Sequence, residues 1–222
     1  MFKISPDETL RIVQELYEKK MTTYPRTDAR VLSTAVAKEI HKNIGGLRNY
    51  ALAAPFAKEV LEQGTYKNIA KTRYVNDKQI TDHYAIIPTG QGLNNLAGLA
   101  PTAAKVYEVI VRRFLSIFYP PAVYQKFSLT LQVKEESFFA SFKVLIQEGY
   151  LKVTDFSFKK ENTVPKEDKE NENESADEKC DAELTNLLTH LKKGDTLSVD
   201  TYEIKEGETS PPKRYTSGSI IL

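Results

Sequence analysis

A pair of prolines, Pro120-Pro121, divides this chain into two parts whose apolar residues recur with different periods, and that switch constrains the fold more than any other feature. Ahead of it the period is helical. Ser5-Pro6-Asp7-Glu8 places a serine N-cap before a proline at the first helical position, with glutamate at the capping-box position. Leu10, Val13, Leu16 and Tyr17 follow on one stripe, and Lys19 and Lys20 suit the negative end of the helix dipole. Ser33 caps a predicted helix over 34–43, closed by Gly45-Gly46, and a short helix is expected from Pro55. A longer helix over 102–118 carries Val106, Val109, Ile110, Phe114 and Ile117 on one side. Beyond the prolines the period falls to two. Phe127, Leu129, Leu131 and Val133 alternate with polar residues, as do Phe138, Ala140, Phe142 and Val144, the pattern of half-covered strands. Further strands are expected near 150–158 and 196–204.

The expected fold class is therefore α+β, with a helical domain over 1–120 and a β-rich domain over 121–208. Residues 209–222 read as the start of a further domain. At 222 residues there is enough chain to bury a substantial core. Residues 159–183 interrupt the β-rich part with 5 basic and 10 acidic side chains and few apolar ones, the composition of a solvated insert. That insert hides a charge division. The net charge is +1, but residues 1–120 hold 17 Lys and Arg against 11 Asp and Glu, a net +6. A basic half suits a phosphate-backbone partner.

Several functions are set aside by what is missing. No apolar run approaches the roughly 20 residues that span a bilayer, and no signal-peptide core opens the chain. Cys180 is the single cysteine, which excludes an internal disulfide and a cysteine-based zinc site, and a reducing cytoplasm is the simplest location. There is no Gly-rich phosphate loop, HExxH, GxSxG or Cys-x-x-Cys. Of the three histidines, His41 and His190 read as surface residues.

What remains is Tyr24-Pro25-Arg26-Thr27-Asp28. Pro25 pushes Tyr24 out of helical geometry onto a loop or strand end. On an extended segment the phenol and the guanidinium, two residues apart, project to the same side. A phenol with a pKa of roughly 10 is a poor nucleophile at neutral pH. An adjacent arginine lowers the energy of the phenolate and binds phosphodiester oxygens with its planar fork. Thr27 and Asp28 suit turn-type hydrogen bonds that anchor the loop. An ordinary Tyr-Pro turn satisfies the same residues. His83 follows Asp82, which favours an imidazolium able to donate to phosphate, and precedes an apolar stretch ending in Pro88-Thr89. A structural histidine also fits that setting.

These segments carry a resemblance. Tyr24-Pro25-Arg26-Thr27-Asp28-Ala29-Arg30, after the helix end Leu16-Tyr17-Glu18, resembles the nucleophile segment of type IA DNA topoisomerases. Asp82-His83-Tyr84-Ala85-Ile86-Ile87-Pro88-Thr89 resembles that family's His-x-Ala-Ile-x-Pro-Thr stretch, and Pro211-Pro212-Lys213-Arg214-Tyr215-Thr216 its Pro-Pro-x-Arg-Tyr/Phe-Thr/Ser stretch. The three occur in the family's order over nearly the whole chain.

The resemblance implies that Tyr24 attacks a phosphate of single-stranded DNA and forms a 5′-phosphotyrosine link. It further implies that Arg26 stabilises the charge on the phosphate, that His83 contacts or orients it, and that Thr27, Asp28, Arg30 and Thr89 contact DNA. Strand exchange of this kind needs no ATP, and it relaxes or decatenates DNA in the nucleoid. Ile87 stands where many relaxing members carry arginine, and with the Tyr-Pro-Arg form of the motif it is more similar to bacterial topoisomerase III, which favours decatenation. The family's Mg2+ is held by acidic residues of a separate domain, and no matching acidic motif occurs here. The chain thus resembles a central piece of the family's toroid. It is expected to bind no metal itself, to depend on the remaining domains of its polypeptide, and alone to bind DNA weakly without cleaving it. The competing readings are a non-catalytic single-stranded nucleic-acid-binding module, an interaction domain docking through 159–183, and, within the family, reverse gyrase.

Overall fold

The computed structural model describes residues 2, 4–158, 186, 188–204, 206–209, 211, 212, 214–216 and 218–220. The chain divides into two compact units, Met1–Ala122 with Glu148–Val164, and Val123–Gln147 with Pro165–Leu222. The acidic insert 159–183 lies outside the described residues.

The first unit holds four α-helices: α1 (Pro6–Glu18), α2 (Thr34–Leu47), α3 (Ala54–Gln63) and α4 (Pro101–Ser116). Ser5 caps α1 as its sequence predicts, its Oγ accepting from the Glu8 N–H at 3.1 Å. The capping box is not completed, because Glu8 turns to Arg11 and holds its guanidinium at 2.7 and 3.0 Å. Ser33 caps α2 in the same way as Ser5 caps α1.

Two helical expectations change. Helix α2 does not stop at its glycines but runs through Gly45 and Gly46 to Leu47. Gly46 is needed there for close approach: a Cβ on it would lie 2.1 Å from the Gly90 carbonyl oxygen. Helix α4 is apolar around more of its circumference than one stripe. Its deepest residues are Ala103, Tyr107, Val111 and Leu115, while Val109, Ile110 and Ile117 are half-buried on another side.

Helix α4 also buries a charge pair that the stripe conceals. Glu108 and Arg112, 2% and 6% exposed, are joined at 2.7 Å. The Ser157 N–H and hydroxyl donate to the same carboxylate at 2.8 and 2.6 Å, and Arg112 donates to the Val153 carbonyl at 3.1 Å. Burial alone raises the Glu108 pKa, but the hydrogen bonds from Ser157 and Arg112 outweigh it and hold the carboxyl below its ordinary value. The strand expected near 150–158 is thereby replaced: Gly149–Val153 forms a 3-10 turn packed on α4. Gly149 starts it at φ 51°, where a Cβ would meet the carbonyl oxygens of Pro120 and Pro121 at 2.5 Å.

The second unit contains an antiparallel hairpin, β1 (Val123–Val133) and β2 (Glu136–Gln147). Its register sets Leu131 opposite Phe138, Leu129 opposite Ala140 and Phe127 opposite Phe142, so both alternating apolar sets share one face. Residues 196–204 do not form the expected strand. The structure is thus mixed helix and sheet, with a two-stranded sheet among the described residues.

Candidate active site

Tyr24 is placed by the end of α1 and by a backbone ladder to residues 85–89. The helix closes with the Lys20 N–H on the Tyr17 carbonyl at 2.8 Å and the Met21 N–H on the Leu16 carbonyl at 2.9 Å, and Lys20 adopts φ 62°. Pro25 prevents the helix from resuming. The chain instead runs extended beside the segment that follows His83. The Thr89 N–H donates to the Met21 carbonyl and the Thr23 N–H to the Ile87 carbonyl, both at 3.0 Å, on either side of an antiparallel bridge between Thr22 and Pro88. The Thr23 hydroxyl accepts from the Ile87 N–H at 3.0 Å and donates to the Ala85 carbonyl at 3.3 Å. Asn43 of α2 donates to the Pro88 carbonyl at 2.9 Å. Two motifs far apart in sequence are therefore tied together through their main chains.

The ladder brings two aromatic rings into contact. The Tyr24 and His83 centroids are 4.6 Å apart, with the rings inclined by 47°. Tyr17 meets Tyr24 edge to face at 5.3 Å and 79°. Tyr24 is half-buried, His83 is exposed, and both line an open cavity of about 550 Å3 with Lys20, Thr22 and Tyr84. The phenol is not sealed in the core, and it and the imidazole open on one surface. Glu18 lines the same cavity, so the cavity carries a carboxylate as well as the Lys20 ammonium.

Arg26 is placed differently from its spacing. With Thr27, Asp28, Asp82 and His83 it lines an adjoining cavity of about 440 Å3, so His83, rather than the tyrosine, is common to both spaces. Thr27 braces this junction: its hydroxyl donates to the His83 carbonyl at 2.7 Å and accepts from the Ala29 N–H at 3.1 Å. Asp28 accepts from the Thr81 hydroxyl at 3.4 Å. Both residues thus make the anchoring bonds expected of a turn. Thr89 lines the Tyr24 cavity, but its hydroxyl is engaged with the Lys20 carbonyl at 2.5 Å. Arg30 is not gathered with the others. It lines a third cavity, about 220 Å3, with Tyr74, Arg113 and the apolar side chains of 85–87.

Tyr17, Glu18, Lys20, Thr22, Thr23 and Tyr84 also line the cavity, and no sequence motif marks them for it. By sequence Tyr17 belongs to the apolar stripe of the helix and Lys20 to its dipole, and the left-handed turn at Lys20 carries no sequence signal. Among the described residues no three or more His, Cys, Asp or Glu side chains come together as a metal site requires. No helix among them is long and apolar enough to cross a membrane.

Comparison with known proteins shows the family. Residues 1–222 match the family model described as DNA topoisomerase. The chain belongs to that family, on its type IA branch. Its relatives include the proteins named DNA topoisomerase 3 of Bacillus licheniformis, 34% identical over 221 residues, Bacillus cereus strain ATCC 14579, 33% over 223, and Bacillus subtilis strain 168, 33% over 221. Each alignment covers 99% of this chain and 27% of the relative, so the chain spans about a quarter of the length of the curated relatives it matches.

Proposed function

We propose that this chain supplies the strand-cleaving tyrosine of a type IA topoisomerase of the topoisomerase III kind, acting on single-stranded DNA. The observation that carries this reading is the Tyr24–His83 contact at 4.6 Å beside an open cavity, with Arg26 in the space that His83 also lines. The Tyr24 phenol loses its proton and its oxygen attacks a backbone phosphorus. A P–O bond to the phenol forms as the bond to the 3′-oxygen breaks, and that oxygen takes a proton to leave as a 3′-hydroxyl. The 5′-phosphotyrosine keeps the energy of the ester, so the 3′-hydroxyl reseals the strand by the reverse steps without ATP. Arg26 and His83 donate to the non-bridging oxygens where negative charge accumulates, the positioned-donor form of electrostatic catalysis. Thr27 and Asp28 hold the loop that carries Arg26.

The described residues form no metal site, and no step above passes through a metal. In the family the Mg2+ belongs to a further domain of the polypeptide, which is the partner this reading requires besides DNA. That domain, the closed toroid and a preference for decatenation are parts of the proposal, as is residence with the nucleoid in the cytoplasm.

The test uses the polypeptide at the length of its relatives. Mixed with a single-stranded oligonucleotide and Mg2+ and quenched in detergent, it should yield a protein–DNA adduct that Tyr24→Phe abolishes. An adduct that survives Tyr24→Phe, or DNA binding with no adduct at any time, would favour the non-catalytic nucleic-acid-binding module instead.

A further inference from the structure

We infer that Asp77 is a positioning residue for His83, acting through its bond to Thr34 at the start of α2. This deepens the proposed function and rests on it, because His83 is the group to be held in place against a phosphate. Asp77 lines neither cavity of the site, so any influence it has there passes through the chain that follows it. That chain has a fixed departure and a fixed return. Val31 and Leu32, 7% and 2% exposed, form a buried platform just ahead of α2. The Leu32 N–H donates to the Tyr74 carbonyl at 2.8 Å and the Asn76 N–H to the Leu32 carbonyl at 3.0 Å, around a parallel bridge between Leu32 and Val75. The Asp77 carboxylate extends this contact, accepting from the Thr34 N–H at 2.8 Å and from its hydroxyl at 2.5 Å. The chain returns to the same platform at Ala85, whose N–H donates to the Val31 carbonyl at 2.9 Å.

Residues 78–84 are thus an excursion between two moorings, and Thr81, Asp82 and His83 fall near its end. Those three line the cavity of about 440 Å3 together with Arg26, Thr27 and Asp28, so the start of the excursion helps to set where that wall stands. Asn76 directs the departure, its side chain accepting from the Lys78 N–H at 3.1 Å to cap the short 3-10 turn Asp77–Gln79. Capping of α2 does not account for the Asp77 bond. Ser33 already caps that helix, its Oγ accepting from the Val36 N–H at 3.1 Å. Asp77 and Thr34 are both exposed, and water satisfies a first-turn N–H equally well. Two donors of one residue on one carboxylate fix its direction as well as its distance. The Thr34 hydroxyl, with the Thr34 N–H, holds the Asp77 carboxyl below its ordinary value, which keeps it a charged double acceptor at neutral pH. The bond therefore does little for folding and much for where the excursion begins.

The experiment uses the polypeptide at the length of its relatives and one single-stranded oligonucleotide. Affinity is measured by fluorescence anisotropy without Mg2+, and the rate at which bound DNA becomes the detergent-trapped adduct is measured with Mg2+. Asp77→Ala should lower that rate by about 3- to 100-fold, since a misplacement of roughly 1 Å costs as much as 100-fold, and leave the affinity within about twofold. Asp77→Asn keeps one acceptor for Thr34 and should retain more of the rate. Thr34→Val deletes the hydroxyl from the other side of the bond; it should slow the adduct too, and add nothing further to Asp77→Ala. Amide hydrogen exchange across residues 78–84 should be faster in Asp77→Ala and in Thr34→Val. An Asp77→Ala variant that melts lower yet cleaves at the wild-type rate has lost a helix contact only, and overturns the inference. So does a loss of affinity as large as the loss of rate, an Asp77→Asn variant slower than Asp77→Ala, a Thr34→Val effect that adds in full, or unchanged exchange over 78–84. Should Asp77→Ala fail to fold, the rate and exchange of Thr34→Val decide alone. If the wild-type polypeptide forms no adduct, the proposed function fails; if the adduct forms at Tyr24 at full rate in Asp77→Ala, the positioning role falls and the function stands.

Discussion

Thr23 and Ile87 hold each other from both sides, the Thr23 N–H donating to the Ile87 carbonyl and the Ile87 N–H donating to the Thr23 hydroxyl, each at 3.0 Å. This reciprocal pair fixes the residue before Tyr24 against the segment that carries His83. The aromatic contact follows from it, because neither ring lies on a regular element that could place it independently. Thr23→Val keeps the shape but removes the hydroxyl, leaving the Ile87 N–H without its partner. The expected cost is about 1–3 kcal/mol in denaturant unfolding. Cleavage should fall by more than the loss of folded protein explains, since the tyrosine is no longer held beside His83. Unchanged cleavage in the folded variant would show that the ladder does not position the site.

The adjacent glycines of α2 make a paired prediction. A Cβ on Gly46 would overlap the Gly90 backbone, whereas one on Gly45 meets nothing within 4 Å. Gly46→Ala should destabilise by about 1–3 kcal/mol through overpacking. Gly45→Ala should stabilise by roughly 0.5–1 kcal/mol through helix propensity alone. Thermal unfolding of the two variants is the check, and the same sign in both would contradict the described approach of α2 to Gly90.

The buried pair on α4 governs how the helical unit responds to acid. Glu108 titrates below its ordinary value of 4.5, so its contribution is fully present above that value and is lost as the pH falls through the lower folded one. Glu59, bound by Lys152 at 2.7 Å and by the Tyr119 hydroxyl at 2.7 Å, is lowered chiefly by the Lys152 hydrogen bond and acts in the same direction. Stability should therefore decline below about pH 4.5 and be flat from there to neutrality as far as these two carboxyls are concerned. Glu108→Gln leaves Arg112 buried without a counter-charge and should cost about 3–5 kcal/mol at pH 7. A variant as stable as wild type would show that the Val153 carbonyl and an uncharged acceptor at position 108 satisfy the arginine.

Local rules made much of this architecture legible. Ser5 and Ser33 cap where their side chains bond the first helical turn, and Pro120-Pro121 separates α4 from the hairpin because neither residue can continue a helix. The two apolar sets of the hairpin fall on one face because each alternates with period two and the turn at 134–135 sets them in phase. Long-range contacts decided the rest. The run of α2 through Gly45-Gly46 depends on Gly90, and the 3-10 turn at Gly149 depends on the proline carbonyls it packs beneath. In the site, Tyr24 and His83 were expected together and lie together, while Arg26 occupies the space beyond the imidazole and Arg30 a separate cavity. Two-residue spacing puts Tyr24 and Arg26 on one side only where the chain between them is extended. Buried Pro25 and the Thr27 bond to the His83 carbonyl set its real course.

The central claim is covalent, so the most direct measurement locates the bond. The full-length polypeptide is trapped on single-stranded DNA with Mg2+, treated with nuclease and then with trypsin, and its peptides are weighed. The segment Met21–Arg26, released by cleavage after Lys20 and Arg26, contains Tyr24 as its sole tyrosine. A nucleotide mass added to that peptide through a phosphotyrosine bond is the predicted result. An adduct carried on any other residue, with Met21–Arg26 recovered unmodified, would contradict the account.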